Sequence, residues 1–444
     1  MSGRRIALVC LTPDTDANET PELYLPSYGI KRIHAALLAD PDLAGATVQL
    51  IEKRSYDVEP FVAALAQFEP DLIGFSAYVW SAPTLIEVAR RYKGGWPEAC
   101  VVFGGPSART SYFDLAPQAP AGEYLDAVVS TDGEHTFAEI AKLPELSRAG
   151  LASIAGLHLP EPQGWTNTRE RTLTKSLDEL PSPFQMGLMP DRCVGYLESF
   201  RGCPLSCRFC EWGVREDYRS VFSDQYIARE LELFKAHKIE HCYLLDAGLN
   251  LNQKAFRNLR DAERQAGFFK NANLWGEVYP SHLTDEHIDF LKGVAGRFMA
   301  IGFQSLDPAV IKGMDRPWSL NKIDTCVHQL AHVCHTLDIQ IVMGLPGDSP
   351  AGFKRTLEYA RSLPAQVRAY YCLVLPDALL TRSRPEWNVE FDPVTLELRS
   401  CQGWSADELR ETRAWIEGEA RAAGGRVGNY WYMFPRRDAR TTGS

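Results

Sequence analysis

The chain alternates short apolar runs with longer segments in which apolar residues recur every three or four positions. In the N-terminal third, runs such as RIALVCL, PDLIGFSAY and ACVVFGG are typical of buried strands, whereas YGIKRIHAALLA, VEPFVAALAQF and APTLIEVARRYK have helical spacing. Strands that alternate with helices build a parallel sheet covered by helices. The pattern therefore predicts an α/β fold for residues 1–148, a doubly wound, Rossmann-like domain with ligands at the carboxyl ends of its strands.

The alternation lapses over residues 149–190, where proline, threonine and charged residues predict a linker. It resumes over 191–376 with six strand and helix units, beginning at GYLESF and including the helix NKIDTCVHQLAHVCHTL. Six units are too few for a closed eight-stranded barrel, so we expect a partial (β/α)6 barrel with its site at the carboxyl ends of the strands. Residues 377–444 are expected to form a small C-terminal α/β extension that shapes the substrate pocket, with Tyr430, Trp431 and Tyr432 packed against the barrel in preference to contacting substrate.

Composition narrows the classes of protein that fit. The chain has 444 residues, of which 45% are hydrophobic, enough for more than one buried core. A net charge of −10 disfavours a nucleic-acid partner. We find neither a signal peptide nor an apolar stretch near the roughly 20 residues that a bilayer requires, so we expect a cytoplasmic protein without a membrane partner. Its eleven cysteines then indicate reduced thiols and ligands more than disulfides.

Three cysteines form the strongest chemical signal. Cys203, Cys207 and Cys210 have the spacing C-x3-C-x2-C, and no second pair of cysteines lies nearby. A structural zinc site usually has four Cys or His ligands in two separate pairs, so a zinc site or simple core cysteines are disfavoured. Three thiolates on one loop suit an iron–sulfur cube in which one iron lacks a protein ligand and can bind a small molecule.

This loop, with Phe209 just before its last cysteine and a strand before its first, resembles that of the radical S-adenosylmethionine superfamily. The resemblance implies a [4Fe-4S] cluster and S-adenosylmethionine as cofactors, and it continues through LLDAGLN, WGEVYPSHLTDEHIDFL, IGFQSLDPAVIKGMDR and QIVMGLPGDSPAGF. The usual Gly-Gly-Glu is absent from the first of these stretches, where Asp246 takes the place of the group that binds the methionyl amine. Asp246 could instead cap a helix, and Glu277 could pair with a surface cation. The residues that the resemblance places around S-adenosylmethionine are Phe209, Trp212, Asp246, Glu277, Gln304, Ser305 and Leu345, with Arg316 nearby.

The N-terminal domain resembles a cobalamin-binding domain in the stretches PDLIGFSAYVW, VVFGGPSA and VVSTDGEHTFAEI. The Asp-x-His-x-x-Gly motif that ligates cobalt in other corrinoid domains is missing. His34, the one histidine of the first 130 residues, lacks the Asp and Gly of that motif and is expected in a helix. Tyr78 or Trp80 would then lie beneath the cobalt, unless the domain is a vestigial scaffold. The implied cobalamin-binding residues are Ser76, Ala77, Tyr78, Trp80, Gly104, Gly105, Pro106, Gly133 and Glu134.

Together the two resemblances imply a cobalamin-dependent radical S-adenosylmethionine C-methyltransferase. Such an enzyme transfers methyl from methylcobalamin to a carbon of a natural product or peptide precursor, and takes electrons from a donor such as flavodoxin or ferredoxin. Cyclisation, oxidation or rearrangement without methyl transfer is the alternative, and some members move methyl without hydrogen abstraction. Methylthiolation of tRNA is disfavoured because the N-terminal domain has only Cys10 and Cys100, too few for a second cluster. A cobalamin or cluster carrier would leave the strand-end residues unexplained.

Overall fold

The computed structural model describes residues 3–12, 25–172, 176–212 and 220–437. The chain forms two compact units. The first consists of Met1–Pro190 with Pro393–Thr395, and the second of Asp191–Asp392 with Leu396–Ser444. In the described ranges, no helix has the length and apolar character needed to cross a bilayer.

The first unit is a seven-stranded sheet covered by helices. Its strands are β1 (Arg5–Leu11), β2 (Thr47–Lys53), β3 (Leu72–Ser76), β4 (Cys100–Gly104), β5 (Ala127–Val129), β6 (Leu157–Pro160) and β7 (Trp165–Asn167). Its helices are α1 (Tyr28–Ala39), α2 (Glu59–Phe68), α3 (Ala82–Gly95), α4 (Thr110–Phe113), α5 (Gly133–Ala141) and α6 (Arg148–Ser153), with short 3-10 helices at Pro41–Leu43, Ala121–Glu123 and Leu177–Glu179.

The strand order β2-β1-β3-β4-β5-β6-β7 begins with five parallel strands. An order of 2-1-3-4-5 is doubly wound, and its ligand site lies where the order reverses, at the carboxyl ends of β1 and β3. The central strand β1 lies in the hydrophobic core. Its residues Ile6 and Leu8 belong to the same buried cluster as Ile30 and Leu37 of α1 and Phe137 of α5. The predicted doubly wound α/β architecture is confirmed.

The predicted linker over 149–190 is wrong for part of its length. Strands β6 and β7 pair antiparallel and continue the first sheet from β5. Strand β6 has the alternating burial of a strand with one face in the core. Leu157 and Leu159 are each 1% exposed, while His158 between them is partly exposed. The hairpin covers the edge of β5, which would otherwise present unpaired backbone groups.

The second unit is built on an eight-stranded sheet. The strands of this sheet are β8 (Gly195–Leu197), β9 (His241–Leu244), β10 (Asn273–Val278), β11 (Gly296–Gln304), β12 (Thr336–Met343), β13 (Gln366–Tyr371), β16 (Arg426–Val427) and β17 (Trp431–Phe434), and the unit also contains β14 (Glu390–Phe391) and β15 (Leu398–Ser400). The helices of the unit are α7 (Asp224–Ala236), α8 (Gln253–Ala266), α9 (Asp285–Lys292), α10 (Pro308–Gly313), α11 (Leu320–Ala331), α12 (Pro350–Ser362) and α13 (Ala406–Ala422), with 3-10 helices at Pro280–His282 and Pro385–Trp387.

The strand order β16-β17-β13-β12-β11-β10-β9-β8 contains six parallel strands, β8 to β13, and β14 and β15 form a separate pair. These six strands are the partial barrel that the sequence predicts. Along β12, Leu337, Ile339 and Ile341 are buried, whereas Asp338 and Gln340 between them are partly exposed. Strand β12 therefore has one apolar face and one face that can carry polar groups.

One prediction for the second unit needs correction. Helix α11 ends at Ala331, not at residue 337, because the N–H groups of Val333 and Cys334 both bond to the carbonyl of Leu330 and close the helix. The C-terminal extension continues the barrel sheet, since β17 pairs antiparallel with β13 and covers its edge. Tyr432 is consequently 1% exposed, in agreement with the packing role expected for it.

Candidate functional site

The cysteine loop follows β8, and its three thiols are free. Cys207 is 4% exposed, whereas Cys203 and Cys210 are partly exposed. Burial raises the pKa of Cys203, and it raises the pKa of Cys210 to about 11. The charge of Cys207 raises both values further, so the thiols lie within electrostatic range of one another.

These donors fit a cluster better than a single ion. In the part of the chain that the structure describes, no three His, Cys, Asp or Glu side chains converge as they would around one metal ion. An iron–sulfur cube does not require such convergence, because each of its irons takes only one thiolate. Three neighbouring thiols on one loop therefore fit a [4Fe-4S] cluster with one open iron.

Asp246, which follows β9, fixes the start of this loop. Its carboxylate accepts hydrogen bonds from the backbone N–H of Ser199 at 2.8 Å, from that of Phe200 at 3.3 Å and from the Ser199 hydroxyl. The side chain is buried. The structure thus gives Asp246 a positioning role, and the predicted contact with a methionyl amino group would have to share these oxygens.

The pKa of Asp246 predicts a distinctive pH dependence of stability. Burial raises this pKa from 3.8 to about 7. Between these values the folded protein binds a proton that the unfolded chain has released, so stability falls as the pH rises from about 4 to about 7. Asp246→Asn removes this titration. Over that range we expect the melting temperature of the unit that contains Asp246, in the wild-type apo-protein, to fall relative to the variant by at least roughly 2–4 °C, the shift that 1 kcal/mol produces in a domain of 150–250 residues. If the difference in melting temperature between the wild type and the variant stays constant across this pH range, the raised pKa of Asp246 is contradicted.

Arg316 and Gln304 lie beside Cys207. The Arg316 guanidinium is 3.7 Å from the Cys207 Sγ and donates to the carbonyl of Gly302 at 2.7 Å. Gln304 has a φ of +69° at an irregularity of β11, and a Cβ at Gly302 would lie 2.5 Å from the Gln304 amide nitrogen. A side chain at residue 302 would therefore displace both polar groups from the space next to the cysteine loop.

Glu277, at the end of β10, belongs to the same region. It accepts a hydrogen bond from the Gln340 side chain at 2.9 Å. Burial raises the pKa of Glu277, and the charge of Arg316 acts in the opposite direction. The carboxyl ends of β10 and β11 thus bring Glu277, Gln304 and Arg316 together with Cys207, as the sequence leads us to expect.

Other predicted residues have different surroundings. Ser305 is fully buried and donates to Asp348 at 3.2 Å. Leu345 is also fully buried, and its carbonyl accepts from the Trp404 indole at 3.2 Å. Both support the fold around the site. Phe209 is partly exposed and Trp212 is 49% exposed.

In the first unit, the loops after β3 and β4 are joined at the predicted cobalamin site. The Ala77 N–H donates to the Gly104 carbonyl at 2.8 Å, and the Ala77 carbonyl accepts from the Ser107 N–H at 3.1 Å. Gly105 has a φ of +100°, and a Cβ there would lie 2.6 Å from the Ala77 carbonyl oxygen. Only glycine suits this position. Ser76, at the end of β3, is partly exposed, and Pro106 is exposed.

Tyr78 and Trp80 form an aromatic surface at this strand end. Their rings stack with centroids 4.7 Å apart, and Trp80 is 44% exposed. The Ser81 hydroxyl accepts from the Tyr78 N–H at 3.0 Å and holds the turn that carries both rings. A stacked aromatic pair with an exposed Trp80 at the carboxyl end of β3 fits a large ligand with an apolar face.

Two of the predicted cobalamin-binding residues, Gly133 and Glu134, lie where α5 packs against α1. Glu134 is 4% exposed and pairs with Arg32 of α1 at 3.5 Å. A Cβ at Gly133 would lie 2.8 Å from the Ile33 side chain, so the glycine permits α5 to approach α1. His34 lies in α1 as expected and is partly buried, which lowers its pKa.

Sequence reasoning missed the arginines that hold the cysteine loop. Arg208 donates to Asp315 at 2.6 Å and to the Arg382 carbonyl at 2.7 Å. Arg382 donates to the carbonyls of Cys207 and Cys210, the latter 172 residues away. No local pattern marks Arg382, because its partners are backbone carbonyls that any residue supplies.

Comparison with protein families assigns both units. A model described as the B12 binding domain matches residues 16–141, and one described as the radical SAM superfamily matches residues 197–360. The first range includes β3, β4 and their loops, and the second includes the cysteine loop and the strands from β9 to β12.

Two curated relatives are methyltransferases. The chain is 27% identical over 338 residues to 2-(S-pantetheinyl)-carbapenam-3-carboxylate methyltransferase of Streptantibioticus cattleyicolor. It is 25% identical over 346 residues to the cobalamin-dependent radical SAM methyltransferase TokK of Streptomyces tokunonensis. Each match covers 70% of this chain and 48% of the relative, so the chain spans about half the length of these proteins.

Solved structures share the fold. The methyltransferase TsrM from Kitasatospora setae, with tryptophan substrate and an S-adenosylmethionine analogue, matches with a TM-score of 0.67 at 16% identity, over 94% of this chain and 90% of TsrM. The cobalamin-dependent radical enzyme OxsB matches with a TM-score of 0.68 at 14% identity, over 95% of this chain and 67% of OxsB. With a B12-binding domain for cobalamin and a radical SAM domain for a [4Fe-4S] cluster and S-adenosylmethionine, the chain belongs to the cobalamin-dependent radical S-adenosylmethionine enzymes.

Proposed function

We propose that this chain is a methyltransferase that moves a methyl group from S-adenosylmethionine, by way of cobalamin, to a carbon of a natural product or peptide precursor. The observation that carries the proposal is the cysteine loop beside Arg316, Gln304 and Glu277. Three thiolates leave one iron of a cluster open, and these polar groups lie where an amino acid moiety would need partners. The methyltransferase names of both curated relatives support methyl transfer as the reaction.

The residues of each unit would bind and orient the cofactors. Cys203, Cys207 and Cys210 would hold the cluster, and the Arg316 guanidinium would counter the negative charge at Cys207. Gly105 would keep the loops after β3 and β4 close enough to receive cobalamin. When bound, the cluster supplies an electron for cleavage of S-adenosylmethionine, and cobalamin supplies a methyl carrier.

We also propose a cytoplasmic electron donor of the flavodoxin or ferredoxin class. The three cysteines of the cluster loop are free thiols, which suits a reducing compartment. The net charge of −10 supports a small-molecule or peptide substrate over a nucleic acid.

Labelled S-adenosylmethionine tests the function. The reconstituted enzyme is given a low-potential reductant, methyl-labelled S-adenosylmethionine and a substrate panel that includes a pantetheinyl carbapenam and tryptophan. We expect 5′-deoxyadenosine, S-adenosylhomocysteine and labelled product. An unlabelled product would establish cyclisation, oxidation or rearrangement instead. Labelled product without 5′-deoxyadenosine would indicate methyl transfer without hydrogen abstraction.

A further prediction concerns the lower face of the corrin. His34 lies inside α1, away from any Asp-x-His-x-x-Gly motif, whereas Tyr78 and Trp80 follow β3 at the expected ligand site. We expect the electron paramagnetic resonance spectrum of bound cob(II)alamin to lack splitting from an axial nitrogen. Tyr78→Ala or Trp80→Ala should alter the spectrum, and His34→Ala should leave it unchanged. Splitting from an axial nitrogen would refute the prediction, and its loss in His34→Ala would identify His34 as the ligand.

A further inference from the structure

Arg382 makes an unusual set of contacts with the cysteine loop. Its Nη1 donates to the Ser206 carbonyl at 3.2 Å, and its Nη2 donates to the Cys207 carbonyl at 3.0 Å and to the Cys210 carbonyl. One side chain from the C-terminal extension thus binds the backbone of two of the three predicted cluster ligands. The family model ends at residue 360, so Arg382 lies outside the matched sequence.

The surrounding chain holds Arg382 in place from both sides. The residues before it form a π-helical turn, Pro376–Leu380, and the Thr381 hydroxyl donates to the Pro376 carbonyl at 2.9 Å. In return, the Arg208 guanidinium of the cysteine loop donates to the Arg382 carbonyl at 2.7 Å. The cysteine loop and the segment around Arg382 therefore each donate hydrogen bonds to the backbone of the other.

Arginine suits this position for two physical reasons. Its planar guanidinium has five donors in a fixed arrangement, so it can satisfy several carbonyls at once, whereas a lysine ammonium acts as a point charge. It also remains charged at neutral pH even though burial lowers its pKa. A fixed positive charge near an iron–sulfur cluster favours the reduced state, which carries one more negative charge.

We propose that Arg382 is a positioning residue that holds the cysteine loop in its ligating conformation and raises the reduction potential of the cluster. The inference rests on the cluster of the proposed function. It assigns to the C-terminal extension a role in electron uptake in addition to the substrate-covering role expected from the sequence.

Three variants of the full chain separate the two effects. Arg382→Gln removes the charge and most of the hydrogen-bond donors. Arg382→Lys keeps the charge but loses the planar guanidinium that can donate to several carbonyls at once. Arg384→Gln is the matched control, because Arg384 carries the same charge two residues away but donates to the Gly313 carbonyl at 3.4 Å and pairs with Asp315. After anaerobic reconstitution, iron release to a chelator and the reduced fraction of the cluster at fixed potential are measured.

We expect Arg382→Gln to release iron several-fold faster and to show an about tenfold smaller ratio of reduced to oxidised cluster, equivalent to about 59 mV for one electron. Arg382→Lys should release iron faster than the wild type, while the reduction potential of its cluster stays nearly unchanged. If Arg382→Gln does not fold, the iron release of Arg382→Lys tests the positioning role by itself. Arg384→Gln should match the wild type. The proposal is overturned if Arg382→Gln keeps wild-type values, if Arg382→Lys retains iron like the wild type, or if Arg384→Gln shifts the potential equally. A wild-type chain that binds no cluster would instead overturn the proposed function.

Discussion

Replacing Cys203, Cys207 and Cys210 together by alanine is expected to reduce the iron content of the reconstituted protein from about four per chain to none. Formation of 5′-deoxyadenosine should be lost with it. The three thiols lie on one loop, and no group of three His, Cys, Asp or Glu side chains in the described ranges offers another metal site. Iron and sulfide assays with the absorption spectrum under anaerobic conditions measure the effect.

Cys193 provides the matched control for this experiment. It precedes the first ligand by ten residues and is 2% exposed. Cys193→Ala should keep its iron and its deoxyadenosine formation, since a buried thiol before β8 lies outside the loop. A triple variant that retains a cluster would disprove the ligand assignment. Loss of iron from a folded Cys193→Ala would show that Cys193 is also needed to hold the cluster.

The fold could be predicted wherever a segment carries its own periodicity. The five parallel strands of the first sheet and the six of the second appear in the sequence as apolar runs between helical segments. Strands β6 and β7 are not recognisable in the sequence because they have only four and three residues, and their hairpin contains Pro160, Pro162 and Gly164. Such strands are stabilised by the edge they cover, which is information that no local window contains.

The site divides in the same way. Cysteine spacing is local, so the cluster loop is visible in the sequence. Partners of buried charges are not local, because Asp246 meets Ser199 across 47 residues and Glu134 meets Arg32 across 102. Both acidic residues are predicted to face ligands, and the fold also gives their buried carboxylates hydrogen-bonding partners from within the protein.

Gly105→Ala is expected to abolish or strongly weaken cobalamin binding. A φ of +100° costs a residue with a side chain about 1–3 kcal/mol. The added Cβ would also lie 2.6 Å from the carbonyl oxygen and 2.9 Å from the nitrogen of Ala77, so the loop after β3 has to move. That loop carries Tyr78 and Trp80. We expect the dissociation constant for cobalamin, measured by absorbance titration, to rise more than tenfold, which corresponds to about 1.4 kcal/mol.

Gly104→Ala distinguishes a backbone requirement from a ligand requirement at the same turn. Gly104 lacks a positive φ, and the atom nearest to a Cβ added there would be the Val129 Cβ at 3.9 Å, an ordinary contact. The protein itself therefore tolerates alanine at residue 104. If cobalamin binding falls in Gly104→Ala while the melting temperature stays at the wild-type value, Gly104 lies against the ligand, as the sequence predicts. If only Gly105→Ala loses binding, the turn acts by holding Ala77 in place. Wild-type affinity in Gly105→Ala would show that the loops after β3 and β4 do not form the cobalamin site.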